Sequence, residues 1–269
     1  ALGAAIGTLL SVHEASAQTF GYNDRRRFES PQNFAFELRG GPYVAAVDSE
    51  FTNVHPYQDI FGTPSAYATP SQRVLFGLSF EWQALRLWRI GQLGVGASLS
   101  YTAITEKAPF TSSMTGSTPA TWTRGSEDTA LSIIPATLHL SLRFDGLARA
   151  IQYIPIAPYI KAGLAYGLWW MTNGQGLVHV TNTQDAIGGS LGWHVALGAA
   201  VLLDSFEPRL ARGWDQQQGV NHSYLFFEYD FTDLAGFSGR PQLNVGNTST
   251  GGGANAAYGS WVLGLMLEF

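Results

Sequence analysis

Nine ionisable side chains sit at alternate positions of otherwise apolar segments: Glu37, Arg39, Glu81, His139, Arg143, Lys161, His194, Glu228 and Asp230. Glu268 belongs with them by the same spacing. Two chemistries suit such a set. If the groups line a wet passage, they conduct ions or hold a small polar ligand. If they are packed together, Arg39, Arg143 and Lys161 neutralise the carboxylates in an internal salt-bridge network. The second reading is adopted, because an unpaired buried charge costs several kcal/mol. Five carboxylates against three bases leave an excess, which is met by a place near a mouth or by a bound proton.

Other chemistry is thinly supported. There are no cysteines, which removes disulfides, thiolate metal sites and Cys nucleophiles together. Glu127-Asp128, with Glu106 or Asp233, offers hard oxygens to a divalent cation, but no calcium-loop spacing is present and a solvated rim is the reading kept. Asn221-His222-Ser223 reads as a cap or rim hydrogen-bond set. His55, near Asp48, Glu50 and Asp59, and His179, near Asp185, show no spacing that a mechanism requires. Gly94-x-Gly96 places glycines at alternating positions where they relieve crowding, and no phosphate loop is implied. No catalytic, cofactor-binding or metal site is assigned, and the chain is read as a non-enzyme without cofactor.

The elements that carry these residues are strands. Apolar and small or polar residues alternate along Phe34–Arg39, Val74–Trp82, Leu93–Thr102, Thr137–Phe144, Ile160–Trp170, Leu191–Val201, Tyr224–Phe231 and Trp261–Phe269. A period of two is the mark of a half-apolar strand. Only 13% of residues are charged, about half the roughly 25% of soluble domains. Aromatic residues also make 13%, and mean hydropathy is +0.02. No apolar run approaches the length of a membrane-spanning helix. The fold class expected is all-β, an eight-stranded antiparallel transmembrane β-barrel of the bacterial outer membrane. An even count brings both strand ends to one side. Pro135 and a parity change near Ile133 predict a bulge there.

Loop-like spacers near 48–72, 105–128, 172–186 and 233–256 are expected outside the cell. Those near 85–91, 145–156 and 204–219 are expected in the periplasm, the last two longer than a tight turn and with short helices over Leu147–Tyr153 and Pro208–Trp214. Residues 1–17 read as the remnant of a signal peptide, cut after Ala17, and 18–32 as a periplasmic lead. The barrel takes 33–269. Trp261, Leu263, Leu265, Leu267 and Phe269 share one face of the final strand and read as a C-terminal assembly signal. The eight tryptophans fit interfacial girdles, and Trp122 is the one placed to stack a sugar.

Several motifs point further. Glu29-Ser30-Pro31-Gln32-Asn33-Phe34-Ala35-Phe36-Glu37-Leu38-Arg39 leads into Gly41-Pro42-Tyr43. Asp48-Ser49-Glu50-Phe51, Ile133-Ile134-Pro135 and Tyr159-Ile160-Lys161-Ala162-Gly163-Leu164 follow. Gly188-Gly189-Ser190-Leu191-Gly192-Trp193, Ala200-Val201-Leu202-Leu203-Asp204 and Asn221-His222-Ser223-Tyr224-Leu225-Phe226-Phe227-Glu228 complete the set. In this order they resemble an uncharacterised myxobacterial-type family of outer-membrane β-barrel proteins. Small barrels of the OmpA/OmpX type are a looser, architectural likeness. The resemblance implies an outer-membrane barrel and brings no ligand or catalytic residues.

Function is read as a structural anchor or interaction scaffold, with a packed polar interior, acting through outer loops and periplasmic turns. The alternative is a narrow, porin-like channel for ions or small solutes; a rim-sited enzyme is the third class. Expected partners are outer-membrane lipid and lipopolysaccharide, the barrel-assembly machinery during biogenesis, and a protein at the loops or periplasmic side. The net charge of −5, with Arg25-Arg26-Arg27 as the one basic cluster, argues against nucleic acid.

Overall fold

A computed structural model of the chain describes residues 33–51, 55–62, 73–87, 91–110, 122–146, 155–181, 184–206, 213–214, 217–237, 243–247 and 259–269. Eight long strands run β1 Phe34–Tyr43, β2 Arg73–Leu87, β3 Gly91–Pro109, β4 Arg124–Arg143, β5 Ile156–Asn173, β6 Ile187–Leu202, β7 His222–Asp233 and β8 Ser260–Glu268. Each pairs antiparallel with its sequence neighbours. The ring closes between first and last strands, from Ala35 opposite Glu268 to Gly40 opposite Leu263. Backbone bonds between Phe34 and Phe269, at 2.9 and 3.0 Å, finish the seam. Closure leaves no sheet edge, which is what lets strands cross a lipid core that cannot hydrogen-bond to them.

Alternation sorts the two faces. Val74, Phe76, Leu78, Phe80 and Trp82 of β2 are exposed, as are Val95, Leu99 and Tyr101 of β3, Leu138 and Leu140 of β4, and Leu164, Tyr166 and Leu168 of β5. Leu191, Trp193 and Leu197 of β6, Leu225 and Phe227 of β7, and Trp261, Leu263 and Leu265 of β8 continue the belt. An apolar belt around a closed barrel meets lipid. The residues between them are buried, so the ionisable set faces the lumen.

The bulge expected at Pro135 is not formed. Leu99 pairs with Ala136 and, farther along, Thr102 with Ile133, at one unbroken register, and on the other side Pro135 stands opposite Gly167. Proline lacks an N–H, so it interrupts the ladder without shifting it. Leu131 and Ile133 keep inward parity; what changes is that the inward face turns apolar. A register shift lies instead in β2, between Trp82 and Leu85.

The connection from β2 to β3 is short, and both the start of β1 and the end of β8 lie at that end, which is the periplasmic one. At the other end β3, β4 and β5 run on for 19, 20 and 18 residues. A 20-residue strand at about 3.4 Å per residue and a tilt near 45° rises roughly 48 Å, about twice an apolar band of some 25 Å. The spacers expected as loops at 105–128 and 172–186 are therefore partly strand. Pairing reaches Lys107 opposite Asp128, Gly176–Leu177 folds back on the end of β5, and His179–Thr181 with Gln184–Asp185 forms a separate two-stranded sheet.

The first outer spacer departs most from expectation. After β1 the chain turns inward through a 3₁₀ turn at Ala46–Glu50, and Pro56–Phe61 forms a short helix, α1. Residues 243–247 tuck in beside it: Ala45 bridges Asn247, and the Ala46 N–H bonds to Gly246 O at 2.8 Å. These described parts plug the mouth instead of standing outside it. The expected leader at 1–17, lead at 18–32 and periplasmic helix at 147–153 lie outside the described residues, as does most of Pro208–Trp214.

Candidate functional site

The lumen is filled by a polar ladder built from inward residues of every strand. At the periplasmic end, Arg143 of β4 pairs with Glu268 of β8. Glu268 also accepts from Gln83 Nε2 at 2.7 Å and Gln92 Nε2 at 3.0 Å. The Arg143 guanidinium lies over the Tyr224 ring, 5.4 Å from its centre, so one face is stacked while the edge is paired.

One level up, Lys161 of β5 is 2% exposed, with its ammonium 2.8 Å from both oxygens of Glu37 and 3.3 Å from Glu228 Oε2. Tyr159 donates to that same Glu228 oxygen at 2.9 Å. Arg39 takes the other Glu228 oxygen and reaches Asp230 Oδ2 at 2.9 Å. Two cations are thus threaded through three carboxylates. The rings of Tyr159 and Phe226 lie 5.1 and 5.4 Å from the Lys161 ammonium and form an aromatic floor. Glu81 shares this level but not the pairing. It is 4% exposed, and among the described residues no Lys or Arg nitrogen forms an ion pair with it.

Above the charges the ladder ends in histidine and amide groups. Thr232 donates its hydroxyl to Asp230 Oδ1 at 2.8 Å, so the 3.1 Å contact between His194 Nδ1 and Thr232 is donated by the ring. That leaves the His194 lone pair on Nε2 in the neutral imidazole. His139 lies 5.9 Å away, ring to ring, with Thr137 3.2 Å from its Nδ1 and Gly96 facing it across the sheet. A Cβ at Gly96 would stand 2.6 Å from His139 Nε2, so glycine makes the room for the imidazole.

The outer third of the lumen is a small hydrophobic core. Leu75, Ile104, Leu131, Ile133 and Leu234 form its wall, and Val47, Tyr57, Phe61 and Val245 fill it. Two asparagines that sequence reasoning passed over hold the inserted chain. Asn247 Oδ1 accepts the Thr232 N–H at 2.8 Å, while its Nδ2 reaches Asp230 O at 2.9 Å and Ser260 Oγ at 3.0 Å. Asn244 Oδ1 accepts from Leu234 N at 3.1 Å and Gly246 N at 2.9 Å. Their amides replace ladder partners that an inward-folded loop cannot supply. Asn-x-x-Asn after a turn-rich stretch was the available signal.

Every ionisable residue of the proposed interior set is thus buried inside the barrel. Glu37, Arg39, Lys161, Glu228 and Asp230 form one connected group, which Asp230 extends to His194. Arg143 joins Glu268 below, and Glu81 and His139 stand beside the chain of pairs. Gln83, Gln92, Tyr159, Met266 and Thr232 also belong to it and were not singled out. Trp261, Leu263 and Leu265 face lipid, with Leu267 partly buried and Phe269 exposed beside the seam.

The geometry limits what this site can do. Glu37, Glu81, Ser141, Arg143, Tyr159, Lys161 and Met266 line a void that offers ≈ 10 Å³ to the centre of a water molecule, room for about one. Among the described residues no three His, Cys, Asp or Glu converge as for a metal. At the periplasmic rim Asp204 accepts from Ser223 Oγ at 2.9 Å and faces His222 Nδ1 at 2.6 Å. The serine hydroxyl is therefore bonded to the carboxylate and not to the imidazole, the reverse of an activated nucleophile. His179 and Asp185 meet at 2.6 Å on the exposed outer hairpin.

No protein-family model matches the chain, and no curated protein matches it. Solved structures similar to it include Neisserial surface protein A, 12% identical over 88% of this chain and 97% of that one, TM-score 0.39. OprG from Pseudomonas aeruginosa is 12% identical over 88% and 97%, TM-score 0.41. A major outer membrane protein from Thermus thermophilus is 13% identical over 89% and 100%, TM-score 0.41. At such values the likenesses carry no functional argument, and the assignment rests on the chain's own geometry. A closed antiparallel ring of eight long strands, apolar toward lipid and ionic within, is a transmembrane β-barrel of the bacterial outer membrane.

Proposed function

We propose that this protein is a sealed outer-membrane barrel, a structural anchor and interaction scaffold. The observation that supports this most is the filled lumen: an ionic ladder below, a hydrophobic core above, and space for about one water between ladder residues. A passage for ions needs a continuous wet path, and eight strands enclose an interior that side chains can fill. Among the described residues, what remains accessible is the sheet that β3, β4 and β5 raise beyond the lipid, with Glu127 and Asp128 exposed on it, and the periplasmic rim. A rigid platform carrying exposed segments is where binding residues usually reside. Lipopolysaccharide and a protein partner are the ligands proposed for those surfaces.

Conductance of the refolded protein in planar bilayers, with Lys161→Ala beside it, tests the reading. The wild type is expected to be silent. Steady conductance that changes with Lys161→Ala would overturn the sealed barrel in favour of a channel along Arg39, Glu81, Lys161 and Glu228.

A further inference from the structure

Helix α1 of the outer seal is held by contacts separate from those of the ladder, while the start of the strap meets the ladder through Asn247, which bridges Ala45 and reaches Asp230. Helix α1 has six residues, too few to persist unaided. Both its ends are gripped by side chains from elsewhere. At its start, the buried Asp48 carboxylate accepts the Tyr57 N–H at 2.6 Å and the Gln58 N–H at 3.1 Å. At its end, Arg124 of β4 donates to Ile60 O at 2.9 Å and Gly62 O at 2.8 Å, while holding Lys107 O of β3 at 2.6 Å. A carboxylate at the N-terminus and a guanidinium at the C-terminus each match the helix dipole. Tyr57 and Phe61, one turn apart with rings 5.3 Å from each other, are thereby pressed into the apolar socket.

We propose that the described residues of 44–62 form a latched strap that closes the outer mouth, with Arg124 as its catch on the barrel wall and Asp48 as the internal brace that keeps α1 folded, so that it can release without the ionic seal beneath. Arg124 is only partly buried and stands on the part of β4 that projects beyond the lipid. Its grip on the strap is therefore open to competition from outside without entry into the lumen. Release of the strap uncovers the part of the socket of Leu75, Ile104, Leu131, Ile133 and Leu234 that Val47, Tyr57 and Phe61 fill, with Val245 left in place. It does not open a conducting path, because the ladder still fills the barrel below.

The absence of native cysteine makes single-thiol probing clean. Ala46→Cys places a small thiol in the buried strap, and Ser141→Cys places one in the ladder. Refolded barrels in lipid vesicles are treated from outside with a membrane-impermeant maleimide. The strap thiol is expected to react slowly, and at least tenfold faster when Arg124→Gln or Asp48→Ala is added. The ladder thiol is expected to stay protected throughout, with circular dichroism confirming a folded barrel in each variant. Strap labelling that neither variant changes would overturn the proposal. So would ladder labelling that rises in step with it, since the two seals would then be one packing unit. A conducting wild type would remove the sealed-barrel reading while leaving strap protection and its response to Arg124→Gln intact, so the two failures are separable.

Discussion

Lys161 is the residue on which the ladder turns. Its ammonium is shared by Glu37 and Glu228, all three being almost wholly buried. Truncation leaves two carboxylates facing one another in a low-dielectric lumen, and breaking such a buried pair costs about 3–5 kcal/mol. Lys161→Ala is expected to lower unfolding free energy in urea titrations of the lipid-embedded barrel by that amount, with Glu37→Gln added to it restoring part of the loss. Glu81 gives the opposite expectation. It is as deeply buried but holds no ion pair among the described residues, so Glu81→Gln keeps the shape and removes a carboxyl group that no cation contacts directly. Unfolding free energy should stay within about 1 kcal/mol of wild type or rise. A loss comparable to that of Lys161→Ala would mean that Glu81 is bound into the network.

Among the elements, the strands and the strap respond to different perturbations. Leu140 is 57% exposed on the lipid face of β4. Leu140→Arg is expected to cost roughly 2–4 kcal/mol if near the bilayer midplane, read by unfolding in vesicles, while Leu140→Val stays near neutral. The strap should respond to pH instead. Burial pushes the Asp48 carboxyl above its usual range, against the two backbone N–H bonds and His55, which pull it down, and with Asp59 pushing the same way. A carboxyl raised in the folded state binds its proton more tightly there than in the released strap. Seating is therefore favoured toward acid and weakened as pH rises through the folded value. Maleimide protection of the Ala46→Cys thiol, normalised to an exposed thiol, should be greater at acid than at neutral pH. Asp48→Asn should flatten that dependence.

For the whole molecule, closure decides everything else. The seam pairs Leu38 with Leu265 and Phe36 with Leu267. An open edge inside lipid leaves N–H and C=O groups without partners, each costing several kcal/mol. Leu265→Pro removes a backbone donor at this seam and is expected to abolish the folded, heat-resistant form on gels. A proline at Gln184, on the outer hairpin away from the belt, should leave that form intact.

The period-two alternation was sufficient to determine strand number and facing, because a side-chain period of two is a local property of extended backbone. It put Val74 and Leu78 outward and Glu37, Arg39 and Lys161 on the other face, where the structure has them. It misled at Pro135, because the inward face changes from polar to apolar between His139 and Ile133, which in a bare string looks like a change of parity. Partner choice was not legible. Lys161 and Glu37 lie 124 positions apart and meet only because the ring closes. The inward fold of 44–51, 55–62 and 243–247 was equally hidden. Polar, turn-rich composition marks a loop but not which side of the mouth it occupies. Tyr57, Phe61 and Val245 go inside because the closed barrel presents an apolar socket there, and that socket exists only once Leu75, Ile104 and Leu131, from three separate strands, and Leu234, just past the end of β7, have been brought around one axis.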